Sequence, residues 1–382
     1  MEGKQPVKDA MAPPLVLGLK GRFDHWRHQN PKTEAVTFFC GGFCFDLLML
    51  HRIDSAPMLI HQGSYLAFLA VLLVVDHRIT LNESRTIAFV KQGGFLERLI
   101  ELRHGLIHFL FGTLLNAFIV FYFRAASGIW ALLFLVLLGA ILIANELPRF
   151  RSLGPLMRYA LYSFALTSYF AYLFPTVSGQ LDPLLFYAAV GLSSLVTLGL
   201  WWVGQRVSGD STWSFQKGAL PGLIVQVVLL LFYVADVVPP VPLSLRTIEI
   251  AHQVEWQGAR VRIATETPRW KFWAQGDTTF RARKGDRIYV YARVFAPKGF
   301  RDALKVRWEF DGPKGWEQSD LIPLTITGGE RDWRSYAYKQ NYRPGHWRVT
   351  IETDEGRQVG AIRFKVLEDT SEDERTFREV WD

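Results

Sequence analysis

The only two cysteines of this 382-residue chain stand four residues apart, at Cys40 and Cys44 in CGGFCFDLLMLHRID, residues 40 to 54. On a helix they share one face with His51, which raises the question of a metal or redox centre. Distance argues against a metal: from Cys44 to His51 the helix rises about 10.5 Å, whereas ligand bonds are about 2.0–2.3 Å long. A disulfide fits no better, because Cβ atoms at i and i+4 lie about 5–6 Å apart and a bridge needs about 3.8 Å. Cys40, Gly41, Gly42 and Cys44 are instead small residues suited to close helix contact in a membrane. The chemistry then passes to Asp46 in the same apolar run. A carboxylate at membrane depth is costly unless paired or hydrated, and it is seldom placed there without a role.

A second stripe, Glu97, Glu101, His104 and His108, falls on one helical face. Glu101 and His104 form an E-x-x-H pair, the unit that di-iron bundles use twice. No second copy is found in the apolar half of the chain, so Glu101, His104 and His108 make only a weak metal candidate beside the simpler reading of a hydrated helix face. A third cluster is PRWKFWAQGD, where Arg269, Trp270, Lys271 and Trp273 combine flat aromatic surface with positive charge. Such a patch can stack on sugars or sit at the lipid interface. The sequence holds no Ser-His-Asp set, nucleophile elbow, phosphate-cradling glycine loop or zinc-ligand spacing, and it predicts no cofactor.

The elements that must position these residues divide sharply. Residues 1–32 are polar and basic, without the apolar core of a signal peptide. Residues 33–238 are runs of Leu, Phe, Ala, Val and Tyr, and they contain seven stretches near the length of about 20 residues that a bilayer requires: 34–50, 57–75, 105–123, 127–145, 156–174, 184–204 and 219–238. Lys and Arg alternate between the connecting segments, sixteen on one side and two on the other. By the positive-inside rule this predicts a cytoplasmic N-terminus and a C-terminal domain on the outer side. The net charge of +7 is therefore assigned to membrane topology and not to nucleic acid. This topology gathers Asp46, Arg52, Asp54, His61, Gln62, Arg124, Asp182 and Asp236 at the outer ends of the helices. Two readings of that gathering stand: a polar pocket, or structural ion pairs such as Asp46 or Asp236 with Arg52 or Arg124.

The segment GGFLERLIELRHGLIHFL predicts an amphipathic helix running into the membrane, with Phe95, Leu99 and Leu102 on one face. Residues 239–246 are a proline-rich spacer. Residues 247–368 alternate with the period of half-buried strands, as in DRIYVYARV, LKVRWEF, HWRVTIET and AIRFKV, with turn signals between. Seven or eight short strands predict an antiparallel, immunoglobulin-like β-sandwich, with Trp308 and Trp347 at core positions. Residues 369–382 are a charged tail with helical potential.

PPVPLSL, WRSYAYK at 333–339 and GHWRVTIETDEGRQVGAIRFKV at 345–366 resemble the bacterial membrane proteins that end in domain of unknown function 2914. FDLLMLHRID resembles the start of their membrane region. The resemblance implies a bacterial inner membrane and a periplasmic domain, and it brings no catalytic residue with it. The sequence thus predicts a non-enzymatic binding or scaffolding module, contacting the bilayer and an envelope protein or polymer. The alternative is a membrane-embedded enzyme or transporter built on the cluster around Asp46.

Overall fold

The computed structural model describes residues 55–81, 95–146, 154–208, 214–268, 270–271, 274, 276–328 and 332–382. Among these, the N-terminal part is helical: α1 (Ala56–Leu81), α2 (Phe95–Ala125), α3 (Ile129–Glu146), α4 (Pro155–Ser178), α5 (Pro183–Ser208), a single turn α6 (Phe215–Gly218) and α7 (Leu220–Val234). The segment expected to run into the membrane is indeed one unbroken helix of 31 residues, α2.

Seven membrane spans are not supported. Three segments among the described residues are long and apolar enough to cross a bilayer: Pro57–Ile79, Leu106–Ala125 and Pro183–Arg206. The apolar helices Ile129–Ile141 and Leu220–Val234 are shorter, and the stretch 34–50 lies outside the described residues. The case of α4 explains why hydropathy and fold diverge. It packs against α1, α2, α5 and α7, and its Tyr159, Tyr162, Ser163, Thr167, Ser168 and Tyr172 are all buried. A helix surrounded by protein can carry hydroxyl groups if neighbouring helices satisfy them. Ser163 lies 3.1 Å from Thr197 of α5, Gln226 of α7 donates to Thr197 (3.0 Å), Ser194 donates to Gln226 (2.9 Å), and Tyr122 of α2 donates to Ser168 (3.2 Å).

Gly222 of α7 sits on this knot so closely that a Cβ there would fall 2.1 Å from Ser163 Oγ and 2.9 Å from Thr197 Cγ2. Gly222→Val is therefore expected to lower the thermal unfolding midpoint of the detergent-solubilised protein, at a cost of about 1–3 kcal/mol for overpacking. An unchanged midpoint would mean that α7 does not pack on α4 in this register.

The rest of the chain is β-structure: β1 (Ser244–Ala251), β2 (Gln253–Gln257), β3 (Arg260–Thr265), β4 (Thr279–Ala282), β5 (Ile288–Phe295), β6 (Arg301–Gly312), β7 (Gly315–Thr327), β8 (Trp333–Lys339), β9 (Gly345–Thr353), β10 (Gln358–Glu368) and β11 (Arg378–Trp381). A sheet of order β1-β5-β8 and one of order β4-β10-β9-β6-β7 bury a common core. All pairings are antiparallel except β4 with β10. Trp308 and Trp347 lie in that core, as their parity predicts.

A third sheet, β11-β3-β2, was not foreseen. It covers the outer face of β5, so Tyr291, outward by alternation, is fully buried among Ala251, Val254, Val261 and Ile263. The end of the charged C-terminal segment forms β11, antiparallel to β3. Asp382 then accepts hydrogen bonds from Tyr291 and Arg293. The proline-rich spacer is packed rather than free: Val238, Val241 and Leu243 are buried, and β1 already starts at Ser244.

Candidate functional site

Three connections at one end of the helical body meet the β-domain. After α2, Ser127 Oγ accepts a hydrogen bond from Gln358 Nε2 (2.7 Å). Between α4 and α5, the Gly179 carbonyl accepts from the Arg301 backbone (2.8 Å), and the Leu181 backbone donates to Asp302 Oδ2 (2.7 Å). Gly179 has a φ of +73° and approaches the Gly299 carbonyl within 2.7 Å of where a Cβ would stand, a position that only glycine fills without strain. At the end of α7, Arg357 from the β9–β10 turn donates to the Tyr233 carbonyl (2.9 Å) and places its guanidinium carbon over the Tyr233 ring, 3.6 Å from the centroid. Its Nη1 is also 3.2 Å from Asp236 Oδ1. Phe295 of β5 completes the seam by packing into the helical core beside Val238 and Val241.

Of the polar residues gathered by topology, Asp236 takes part in this junction, where its partner is Arg357 of the β-domain. Asp182 caps α5, with Oδ1 accepting from the Leu184 backbone (2.8 Å). Arg124 ends α2. His61 is exposed on α1 with its ring 4.0 Å from Tyr65, while the neighbouring Gln62 is buried. Asp46, Arg52 and Asp54 lie outside the described residues, as do Cys40 and Cys44. The side chains of Glu97, Glu101 and His104 are likewise not described; His108 is half-buried on α2. Among the described residues no three His, Cys, Asp or Glu side chains converge as metal ligands.

Sequence reasoning missed the charge cluster at the other end of the body. Asp76 of α1 accepts hydrogen bonds from Arg103 of α2 (2.9 Å) and from Arg158 of α4. It joins three helices through a carboxylate side chain that is 8% exposed.

The aromatic and basic loop is represented by Trp270, 64% exposed, with the Lys271 ammonium 5.1 Å from its ring; Arg269 and Trp273 lie outside the described residues. Asp277 pins the base of this loop. Its carboxylate accepts from the backbones of Glu266 (3.1 Å) and Thr267 (2.8 Å) and from Thr267 Oγ1 (2.9 Å). Beside the loop is a polar cavity of about 460 Å³, lined among others by Lys271, Asp277, Arg281, Arg283, Asp369 and Arg375.

Behind this cavity His252 stacks on Phe280 at 3.9 Å, with Nε2 3.7 Å from Glu266 Oε2 and from Asp277 Oδ2. Burial, reinforced by the Arg375 guanidinium, pushes the imidazole down to about 4, so the ring is neutral and these contacts are not ion pairs. Burial also pushes the Asp277 carboxyl up to about 6, against the lowering effect of its hydrogen bonds. The two shifts act oppositely on stability. Between about pH 6.5 and 4 the unfolded chain binds a proton at His252 that the folded chain refuses, which destabilises the fold on acidification. Between about pH 6 and 3.8 the folded chain holds a proton at Asp277 that the unfolded chain lacks, which stabilises it. From pH 7 to 5 the wild-type contributions nearly cancel. In Asp277→Asn only the histidine remains, and stability should fall over that interval by about 2 kcal/mol. Thermal unfolding at the two pH values checks this; parallel curves for both proteins would contradict it.

The architecture defines the chain as a helical body with apolar helices long enough for a membrane, carrying an antiparallel β-domain at one end. Within that domain, residues 301–366 match the family model described as Protein of unknown function (DUF2914). No curated protein matches the chain. Among solved structures it is similar to a β-glucosidase from Kluyveromyces marxianus, at 11% identity over 35% of this chain and 15% of that one, with a TM-score of 0.19. It is also similar to an immunoglobulin-like protein from Pseudomonas aeruginosa, at 14% identity over 30% of this chain and 97% of that one, TM-score 0.20. A third is the CARDB domain of a Pyrococcus furiosus protein in complex with di-metal ions, at 13% identity over 32% and 86%, TM-score 0.19. The chain thus spans 15% of the glucosidase's length, and scores at this level transfer no activity.

Proposed function

We propose that this protein is a membrane-anchored binding or scaffolding module of a bacterial inner membrane, with its β-domain held on the periplasmic side. The observation that carries the reading is the junction: three separate helix connections hydrogen-bond to the β-domain, so the domain is mounted on the membrane body and not tethered by a free linker. Inter-domain surfaces are commonly small and mobile; a mount of this kind suits a domain that must present one face at a fixed height. The exposed Trp270 and the half-buried Lys271 beside it, on a loop pinned by Asp277, form the face best suited to an envelope protein or polymer. The sixteen-to-two distribution of Lys and Arg between the connecting segments is what supports this orientation.

The experiment is purification of the full chain in a mild detergent, followed by identification of what accompanies it in stoichiometric amount. An envelope protein or polymer should be retained by the wild type and lost from Trp270→Ala combined with Lys271→Ala. Equal retention by both proteins would remove the loop from the binding role.

A further inference from the structure

A second cavity, of about 390 Å³, lies at the junction itself, between the first turn of α3 and the β9–β10 turn. Its volume is in the range of small-molecule sites. The lower wall is apolar and includes Ile129, Trp130 and Val238. Ile129 and Trp130 are 62% and 64% exposed, and they continue down α3 into the exposed Leu133 and Val136. On a membrane helix such a stripe faces lipid.

The upper wall carries three arginines, Arg348, Arg357 and Arg363, against one carboxylate, Asp236. Arg348 is held by both oxygens of Glu309, at 2.6 and 2.7 Å. Arg357 is largely buried, with its Nη1 enclosed and paired with Asp236 at 3.2 Å. Arg363 has no carboxylate partner among the described residues and lies 5.6 Å from the Trp316 ring. The first turn of α3 contains no acidic residue. Its backbone N–H groups have no intrahelical acceptors and add partial positive charge at the cavity wall.

We infer that this cavity binds the phosphate headgroup of an anionic membrane lipid, with the acyl chains lying along the exposed stripe of α3. The chemistry is that of a cationic, donor-rich end set directly above a lipid-facing apolar surface. Arg363 and the α3 N-terminus supply donors to the phosphate oxygens. The inference rests on the membrane-anchored reading and adds a ligand to it.

The test measures binding of phosphatidylglycerol to the full chain in neutral detergent by native mass spectrometry. Phosphatidylcholine and inorganic phosphate are the comparison ligands. Two variants each remove one arginine from an exposed strand position: Arg363→Gln within the cavity wall, and Arg260→Gln on β3, outside it. The site predicts preferential retention of phosphatidylglycerol over phosphatidylcholine and no competition from inorganic phosphate at equal concentration. It also predicts a loss of affinity of about tenfold in Arg363→Gln, the scale of one charge-assisted contact, with Arg260→Gln unchanged. Equal binding of the two lipids, equal loss in both variants, or no loss in Arg363→Gln would each overturn it. Competition by inorganic phosphate would also overturn it, by showing a free-anion site. If instead the protein were released from membranes by alkaline carbonate, the membrane reading itself would fail, an outcome distinct from a membrane-resident chain without lipid preference.

Discussion

Replacing Asp76 by alanine is expected to be the most damaging single change in the helical body. The carboxylate is bonded by Arg103 and Arg158 from two other helices, and the three side chains are 8%, 14% and 20% exposed respectively. Removing one partner of a buried charge cluster costs about 3–5 kcal/mol, because the remaining charges keep their desolvation penalty. That is a large share of the total stability of a typical domain. Asp76→Ala should therefore reduce the amount of monodisperse protein recovered in detergent and lower its unfolding midpoint by on the order of 10 °C. Asp76→Asn retains an acceptor and should recover part of the loss. A midpoint for Asp76→Ala within a degree of wild type would show that the cluster does not hold these helices together.

The second large effect belongs to Arg357. In Arg357→Ala the junction loses the hydrogen bond to the Tyr233 carbonyl, the cation–π contact with the Tyr233 ring and the ion pair with Asp236. The Asp236 side chain is 70% exposed, so the ion pair contributes little on its own. The charged hydrogen bond and the stacking dominate, together about 2–4 kcal/mol. Docking of the β-domain should weaken about thirtyfold or more, and the buried segment from Val238 to Leu243 should become open to limited proteolysis. Arg357→Lys keeps the charge but not the planar fork, so it should lie between the two. Resistance to proteolysis equal to wild type in Arg357→Ala would mean that the other two contacts suffice.

The β-domain was legible because strand alternation is local. Ile288, Val290, Ala292 and Val294 face the core that their parity assigns. Tyr291 escaped the same logic because its covering, the β11-β3-β2 sheet, comes from segments distant in sequence. Asp76 escaped for a related reason. It lies 27 residues from Arg103 and 82 from Arg158, and those arginines are visible in sequence only as charges near helix ends. The number of membrane-length helices was overestimated where hydropathy runs through short helices and through α4, whose hydroxyls are paired inside the bundle. Asp236 was legible as a polar residue at the outer rim, whereas its partner in the β9–β10 turn could emerge only from the fold.

The proposal of an outward-facing β-domain on a membrane body is tested most directly by thiol accessibility. A single cysteine at Lys284, in the exposed turn before β5, is introduced into a chain whose Cys40 and Cys44 are replaced by serine. Intact spheroplasts are then treated with a membrane-impermeant maleimide. Full labelling without permeabilisation is the predicted result; labelling only after lysis would contradict the account.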